Sequence, residues 1–212
     1  MKNTTLCFCF IFFISCSPQK DENSVPTAIE GASESIDQEA EPFAVVELFT
    51  SEGCSDCPPA EEVLNKITRE AMANKTYVYP LAFHVDYWNK LGWKDVFADS
   101  AWSNRQRRYR TAFGNEVVYT PQMIVNGQVE FVGSDEKRSK AVIDSFMVIK
   151  PDWYFTIHPD ESKLESGEIK TEFEIIKRPA QEESRDYNIC FALVERKLVT
   201  NVSRGENKGI LL

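Results

Sequence analysis

The sequence predicts an α/β domain followed by a small antiparallel β unit, and three observations predict it. Residues 43–50, FAVVELFT, are an apolar run with little alternation, which is how a strand buried on both faces reads. Ala60, Val63, Leu64, Ile67 and Ala71 recur at helical spacing and mark one buried face. Residues 77–85, YVYPLAFHV, are a second buried strand. Strand, helix and strand at this length form a βαβ unit, whose strands run parallel.

The chain opens on MKNTTLCFCFIFFISC: one lysine, an apolar run over residues 6–14, then Ser15 and Cys16. The run has signal-peptide length and is too short to span a bilayer. FISC resembles a bacterial lipobox, with Phe13 where a leucine is usual. That resemblance implies that residues 1–15 are a lipoprotein signal peptide and that Cys16 carries the lipid. An ordinary signal peptide with an incidental cysteine is the alternative. The expected location is the bacterial cell envelope, lipid-anchored and extracytoplasmic, in the periplasm or at the cell surface. After Cys16, residues 17–42 are rich in Glu, Ser, Pro and Ala and hold no aromatic residue. They bury too little apolar surface to offset their ordering entropy. Residues 16–42 therefore read as a lipidated cysteine and a flexible acidic linker, with a reach of about 30 Å.

Residues 43–150 are expected to form the main domain and residues 151–212 a β-rich C-terminal extension. Pro58 and Pro59 suit a first helical turn, where missing N–H groups cost least. Residues 86–114 read as a helical insertion. Asn126-Gly127 between two apolar runs predicts a tight hairpin. Residues 134–149 read as a closing amphipathic helix, capped by Ser134, with Ala141, Val142, Ser145, Phe146 and Ile149 on its apolar side. After Pro151, the alternating runs WYFTIHP, EIKTEFEII and YNICFALVE predict three antiparallel strands.

Composition narrows the chemistry. The chain has 33 acidic against 24 basic residues and a net charge of −9, which argues against nucleic acid as a partner. No Ser-His-Asp order, phosphate-binding glycine loop or helical metalloprotease motif is present. Of six cysteines, Cys7 and Cys9 fall in the signal peptide and Cys16 at the lipid site, leaving Cys54, Cys57 and Cys190. Outside the cytoplasm a disulfide can persist. Cys190, inside YNICFALVE, is expected to be a buried, reduced thiol.

Cys54 and Cys57 stand two residues apart, after a strand and at the start of a helix. A helix N-terminus offers unpaired N–H groups and a partial positive charge, both of which favour a thiolate. The spacing lets the second sulfur reach the first when the first is joined to a substrate. Cys54 is then the nucleophile and Cys57 the resolving thiol. With YTPQMIVNG downstream, the chain resembles the thioredoxin superfamily over residues 43–150. The resemblance implies a thioredoxin-like fold, a cis peptide at Pro121, and substrate pairing by the Thr120 backbone. The segments ELFTSEGCSDCPPA, HVDYW, LGWKD, RQRRY, TPQMIVNG and RGENKG together resemble a family of secreted bacterial thioredoxin-like proteins of unknown function. Ser55-Asp56 and Gly53 depart from thioredoxin itself. The Asp56 carboxylate is expected to oppose thiolate formation at Cys54 and to make the pair reducing or weakly oxidising.

The function expected from this is extracytoplasmic thiol–disulfide exchange, with protein thiols or disulfides as substrates, an unidentified redox recycling partner and no cofactor. Two alternatives stay open: a copper- or zinc-binding protein using the cysteine pair, and a non-enzymatic binding module with a structural disulfide. His84 reads as a hydrogen-bonded strand-end histidine before it reads as a metal ligand, and His158 as an ordinary β-unit residue. Tyr87, Trp88, Trp93 and Trp102 either pack the insertion onto the core or line a groove. Arg105, Arg107, Arg108 and Arg110 read as a solvated, ion-paired helix face. Glu47, Glu52 and Asp86 are the acids expected nearest the pair, where one is a candidate proton acceptor for Cys57.

Overall fold

In a computed structural model the described residues are 41–151, 153–159, 170–177 and 188–212. The proposed signal peptide, Cys16 and the linker up to residue 40 lie outside them. β1, Ala44–Thr50, is flanked by β2, Val78–His84, which runs parallel to it, and by β3, Gln122–Val125, which runs antiparallel. β4, Val129–Val132, closes a sheet of order β2-β1-β3-β4. The helix between the parallel strands is α1, Pro58–Asn74, with prolines in its first turn. This is a thioredoxin-like α/β arrangement, as the sequence predicts.

The sheet is covered on both faces, which is why β1 reads as a continuous apolar run. Ala44, Val46 and Leu48 pack with Ala60, Val63 and Leu64 of α1, Met123, Val125 and Phe131 of the sheet, and Ile143 and Phe146. The latter two lie on α3, Glu136–Phe146. The alternate β1 residues face α2, Ser100–Phe113: Phe49 stacks on Phe83 and meets Tyr109 edge-on, and Phe83 packs against Trp102. The insertion therefore supplies the second layer. Asp99 caps α2 through Ala101 N–H, and Gly114, with φ of 70°, ends it.

The β3–β4 hairpin turns at Asn126 and Gly127, both with positive φ, as the Asn-Gly pair requires. The Asn126 side chain also accepts from Val45 N–H at 2.7 Å and so ties the turn to the start of β1. Four expectations need correction. The cap of α3 is Asp135, whose carboxylate accepts from Arg138 N–H, and Ser134 lies outside the helix. Its buried face is Ser139, Ile143 and Phe146, with Val142 partly covered, while Ala141, Ser145 and Ile149 are exposed. The third run after Pro151 is not a strand where it is described: residues 188–195 have no regular structure, and their alternate apolar residues Ile189, Phe191 and Leu193 are exposed. Alternation makes a strand only where a neighbour pairs with it. Cys190, expected to be buried, is an exposed free cysteine.

The described residues divide into two compact units, 42–149 with 191–212, and those between 150 and 190. The second contains β5, Trp153–Pro159, and β6, Thr171–Lys177, paired antiparallel from Trp153↔Lys177 to Pro159↔Thr171. His158 on β5 is exposed. In the first unit, residues 200–212 fold back on themselves: Thr200 and Leu212 exchange both backbone hydrogen bonds, at 2.7 and 2.9 Å.

Candidate active site

β1 ends at Thr50, and its loop runs straight to the cysteines. Cys54 N–H donates to Ser51 carbonyl oxygen and Cys57 N–H to that of Cys54, a tight turn that delivers the chain to Pro58. Cys54 and Cys57 form a disulfide, with Cα atoms 5.4 Å apart, and both residues are buried. Opposite them the Thr120–Pro121 peptide is cis. The Thr120 hydroxyl donates to Cys54 Sγ at 3.4 Å and accepts from the Trp88 indole N–H at 2.8 Å. Cys54, Cys57, Thr120 and Pro121 thus meet at one place. A thiol pair at a helix N-terminus, with a hydroxyl donor on one sulfur, is suited to thiolate chemistry.

Tyr87, Trp88, Trp93 and Trp102 pack within the insertion and against the domain. Tyr87 donates to Gln106 and Trp93 to Glu52 Oε2, while Trp102 lies on Phe83. Trp88 stands against the cysteine loop at Gly53, where an added Cβ would lie 3.3 Å from that of Trp88.

The three acids proposed from sequence are all engaged. Glu47, fully buried, takes a two-pronged grip from Arg105, at 2.6 and 3.0 Å, and the Tyr109 hydroxyl at 2.6 Å. Burial and the Glu47 charge drive the Tyr109 pKa far upward. Asp86 accepts from the Ser103 hydroxyl at 2.5 Å. Glu52 is buried beneath Trp93, and its N–H donates to Asp95. Arg105 thus leaves the solvated face to which sequence assigned it, whereas Arg107, Arg108 and Arg110 are exposed.

Sequence reading missed Asp95 and Glu61. Asp95 accepts from His84 Nδ1–H at 2.7 Å, from Glu52 N–H and from Phe97 N–H. Burial opposes its charge, but these donors outweigh it and hold the carboxyl below its ordinary range. Burial also works against the His84 cation, yet Asp95, with Glu61 and Glu52 beyond it, raises the His84 pKa above its usual value. Glu61 lies one helical turn after Cys57 and accepts from the Thr50 hydroxyl at 2.6 Å; burial pushes its carboxyl pKa up despite that bond. Its position at i+4 from Cys57, on the helix that the pair opens, was the available signal. Asn207 was missed as well: its Nδ2 donates to the carbonyl oxygens of Glu52, at 2.9 Å, and Cys54, at 2.8 Å. Among the described residues no group of three or more His, Cys, Asp or Glu side chains is arranged to hold a metal ion.

Residues 45–212 match the model of a family described as "Protein of unknown function (DUF1223)". A thioredoxin from Methanocaldococcus jannaschii is 29% identical over 94 residues, covering 44% of this chain and 84% of that protein. A crystal structure of a protein from Agrobacterium tumefaciens matches with 38% identity and a TM-score of 0.51, over 57% of this chain and 54% of that one. The chain thus aligns with about half the length of that solved relative.

Proposed function

We propose, for a chain that belongs to the DUF1223 family and carries a thioredoxin-like redox fold, that it is an extracytoplasmic thiol–disulfide oxidoreductase. The observation that supports this most is the placing of the Cys54–Cys57 disulfide at the start of α1, facing Thr120. In the reducing direction the Cys54 thiolate attacks a substrate disulfide and releases one substrate thiol. A mixed disulfide then lies beside Thr120 and Pro121. Cys57, as thiolate, displaces the second substrate thiol, and the Cys54–Cys57 disulfide forms again. Two electrons pass to the substrate, and a recycling partner restores the dithiol. Asp56 is exposed beside the pair, and its charge favours the reducing or weakly oxidising poise.

The equilibrium with glutathione tests this reading in the purified protein. A reversible two-electron titration between about −270 and −200 mV is expected. A pair that stays oxidised well below about −300 mV would instead establish a structural disulfide in a binding module. That second reading draws on one observation, the near-complete burial of both cysteines, with Cys54 1% and Cys57 0% exposed.

The location belongs to the same proposal. Residues 1–15 act as a lipoprotein signal peptide, Cys16 takes the lipid, and residues 16–42 tether the domain to the membrane. Cys16→Ala is expected to abolish labelling by a radioactive fatty acid and to move the protein from the membrane fraction to the soluble one. A labelled Cys16→Ala protein would refute the anchor.

A further inference from the structure

The segment RGENKG, residues 204–209, is separated from the cysteines by about 150 residues yet returns to them. Three contacts deliver it. Val202, fully buried, fixes the base of the folded-back segment. Gly205, with φ of 77°, lies so close to Trp93 that a Cβ there would meet the Trp93 Cβ at 3.0 Å. The tip then reaches the redox loop: Glu206 accepts from Ser55 N–H at 3.3 Å, and Asn207 donates to the carbonyls of Glu52 and Cys54. Asn207 is 2% exposed. Its amide nitrogen carries two hydrogens, and both are spent on the backbone flanking Gly53.

We infer that Asn207 is a positioning residue for the cysteine pair, holding the Cys54 peptide in the geometry of the closed disulfide. The Cys54 carbonyl accepts from both Asn207 and Cys57 N–H, so the turn joining the cysteines is held from outside as well as within. Reduction breaks only the S–S bond; electrons come from a thiol donor and each sulfur gains a proton. The Asn207 bonds involve neither sulfur and persist in the dithiol. They keep the two thiols close and raise the effective concentration of one against the other, which favours disulfide closure. The segment therefore makes the pair more reducing. This rests on the exchange reading above.

The test is the glutathione equilibrium of the full chain, wild type against Asn207→Ala. The variant's disulfide is expected to be about tenfold easier to reduce, a rise of about 30 mV. Ser203→Ala changes an exposed side chain of the same segment without touching the loop carbonyls and is expected to keep the wild-type equilibrium. A folded Asn207→Ala protein, judged by near-ultraviolet dichroism, with the wild-type equilibrium would overturn the inference. So would an equal shift in Ser203→Ala. Should Asn207→Ala fail to fold, hydrogen exchange in the reduced wild-type protein decides: protection of the Cys57 amide is expected, and exchange at free-peptide rate overturns the inference. A wild-type pair far below −300 mV sinks the exchange reading instead, while the ratio between variant and wild type still reports on Asn207.

Discussion

The Trp88 indole N–H is bound to the Thr120 hydroxyl at 2.8 Å, and that hydroxyl donates to Cys54 Sγ at 3.4 Å. At its other end the Trp88 side chain stands against Gly53, where an added Cβ would lie 3.3 Å from its own. Cys54 is 1% exposed. Exchange needs the sulfur to be approached in line, so a neighbouring group must move for a substrate to enter, and Trp88, which spans Gly53 and Thr120, is the side chain to test. Trp88→Ala is expected to speed reduction of the disulfide by dithiothreitol about tenfold or more at pH 7, in line with access controlling exchange. Stopped-flow tryptophan emission or quenched alkylation would follow it. An unchanged rate would mean that another group covers the sulfur.

Glu47 and Arg105 form the buried ion pair of the opposite face. Glu47 has no exposed surface, and Arg105 meets it through Nε and Nη2. Arg105→Met leaves the carboxylate buried with only the Tyr109 hydroxyl, and is expected to cost about 3–5 kcal/mol in urea unfolding. Adding Glu47→Met to it should restore much of the loss, because two apolar side chains then replace the pair. A single variant within 1 kcal/mol of wild type would show that water reaches Glu47.

Sequence legibility follows distance along the chain. Pro58, Pro59 and Asn126-Gly127 act through their own backbone, so their places in α1 and the hairpin were readable. The βαβ unit was readable because β1 carries apolar residues on both faces. Thr120 and Pro121 came from resemblance and not from periodicity. Asn207 could not be found by any local rule, since what it binds lies more than 150 residues earlier. Arg105 was misjudged because a charge run reads as solvated unless its partner, here a glutamate in an apolar strand, is known. YNICFALVE was misjudged because alternation records the capacity to pair and not the presence of a partner.

Cys190 is exposed and free, whereas Cys54 and Cys57 pair with each other. Alkylation of the unreduced protein followed by peptide mapping should label Cys190 at near-stoichiometric yield and leave Cys54 and Cys57 unlabelled. A disulfide from Cys190 to either member of the pair would contradict this arrangement and displace the proposed chemistry.

His84 and Asp95 make stability depend on pH in a direction that can be worked out. The His84 pKa is raised above 6.5, so its contribution is fully present below 6.5 and is lost as pH rises through the folded value. Asp95 is lowered below 3.8, so its contribution is present above 3.8 and is lost as pH falls through the folded value. Together they support the fold most between about those limits. Glu61, raised above 4.5, acts the other way, favouring the fold at low pH and less so as pH rises through its folded value. Asp95→Asn removes the charge opposite His84 while leaving an acceptor for one backbone N–H. Its destabilisation is expected to be about 3 kcal/mol at pH 5.5 and to shrink as pH rises through the raised folded value of His84. The remainder above that value measures the backbone bonds to Glu52 and Phe97. Urea midpoints across this range separate the two parts, and a loss that does not change with pH would show that the His84 charge contributes nothing to it.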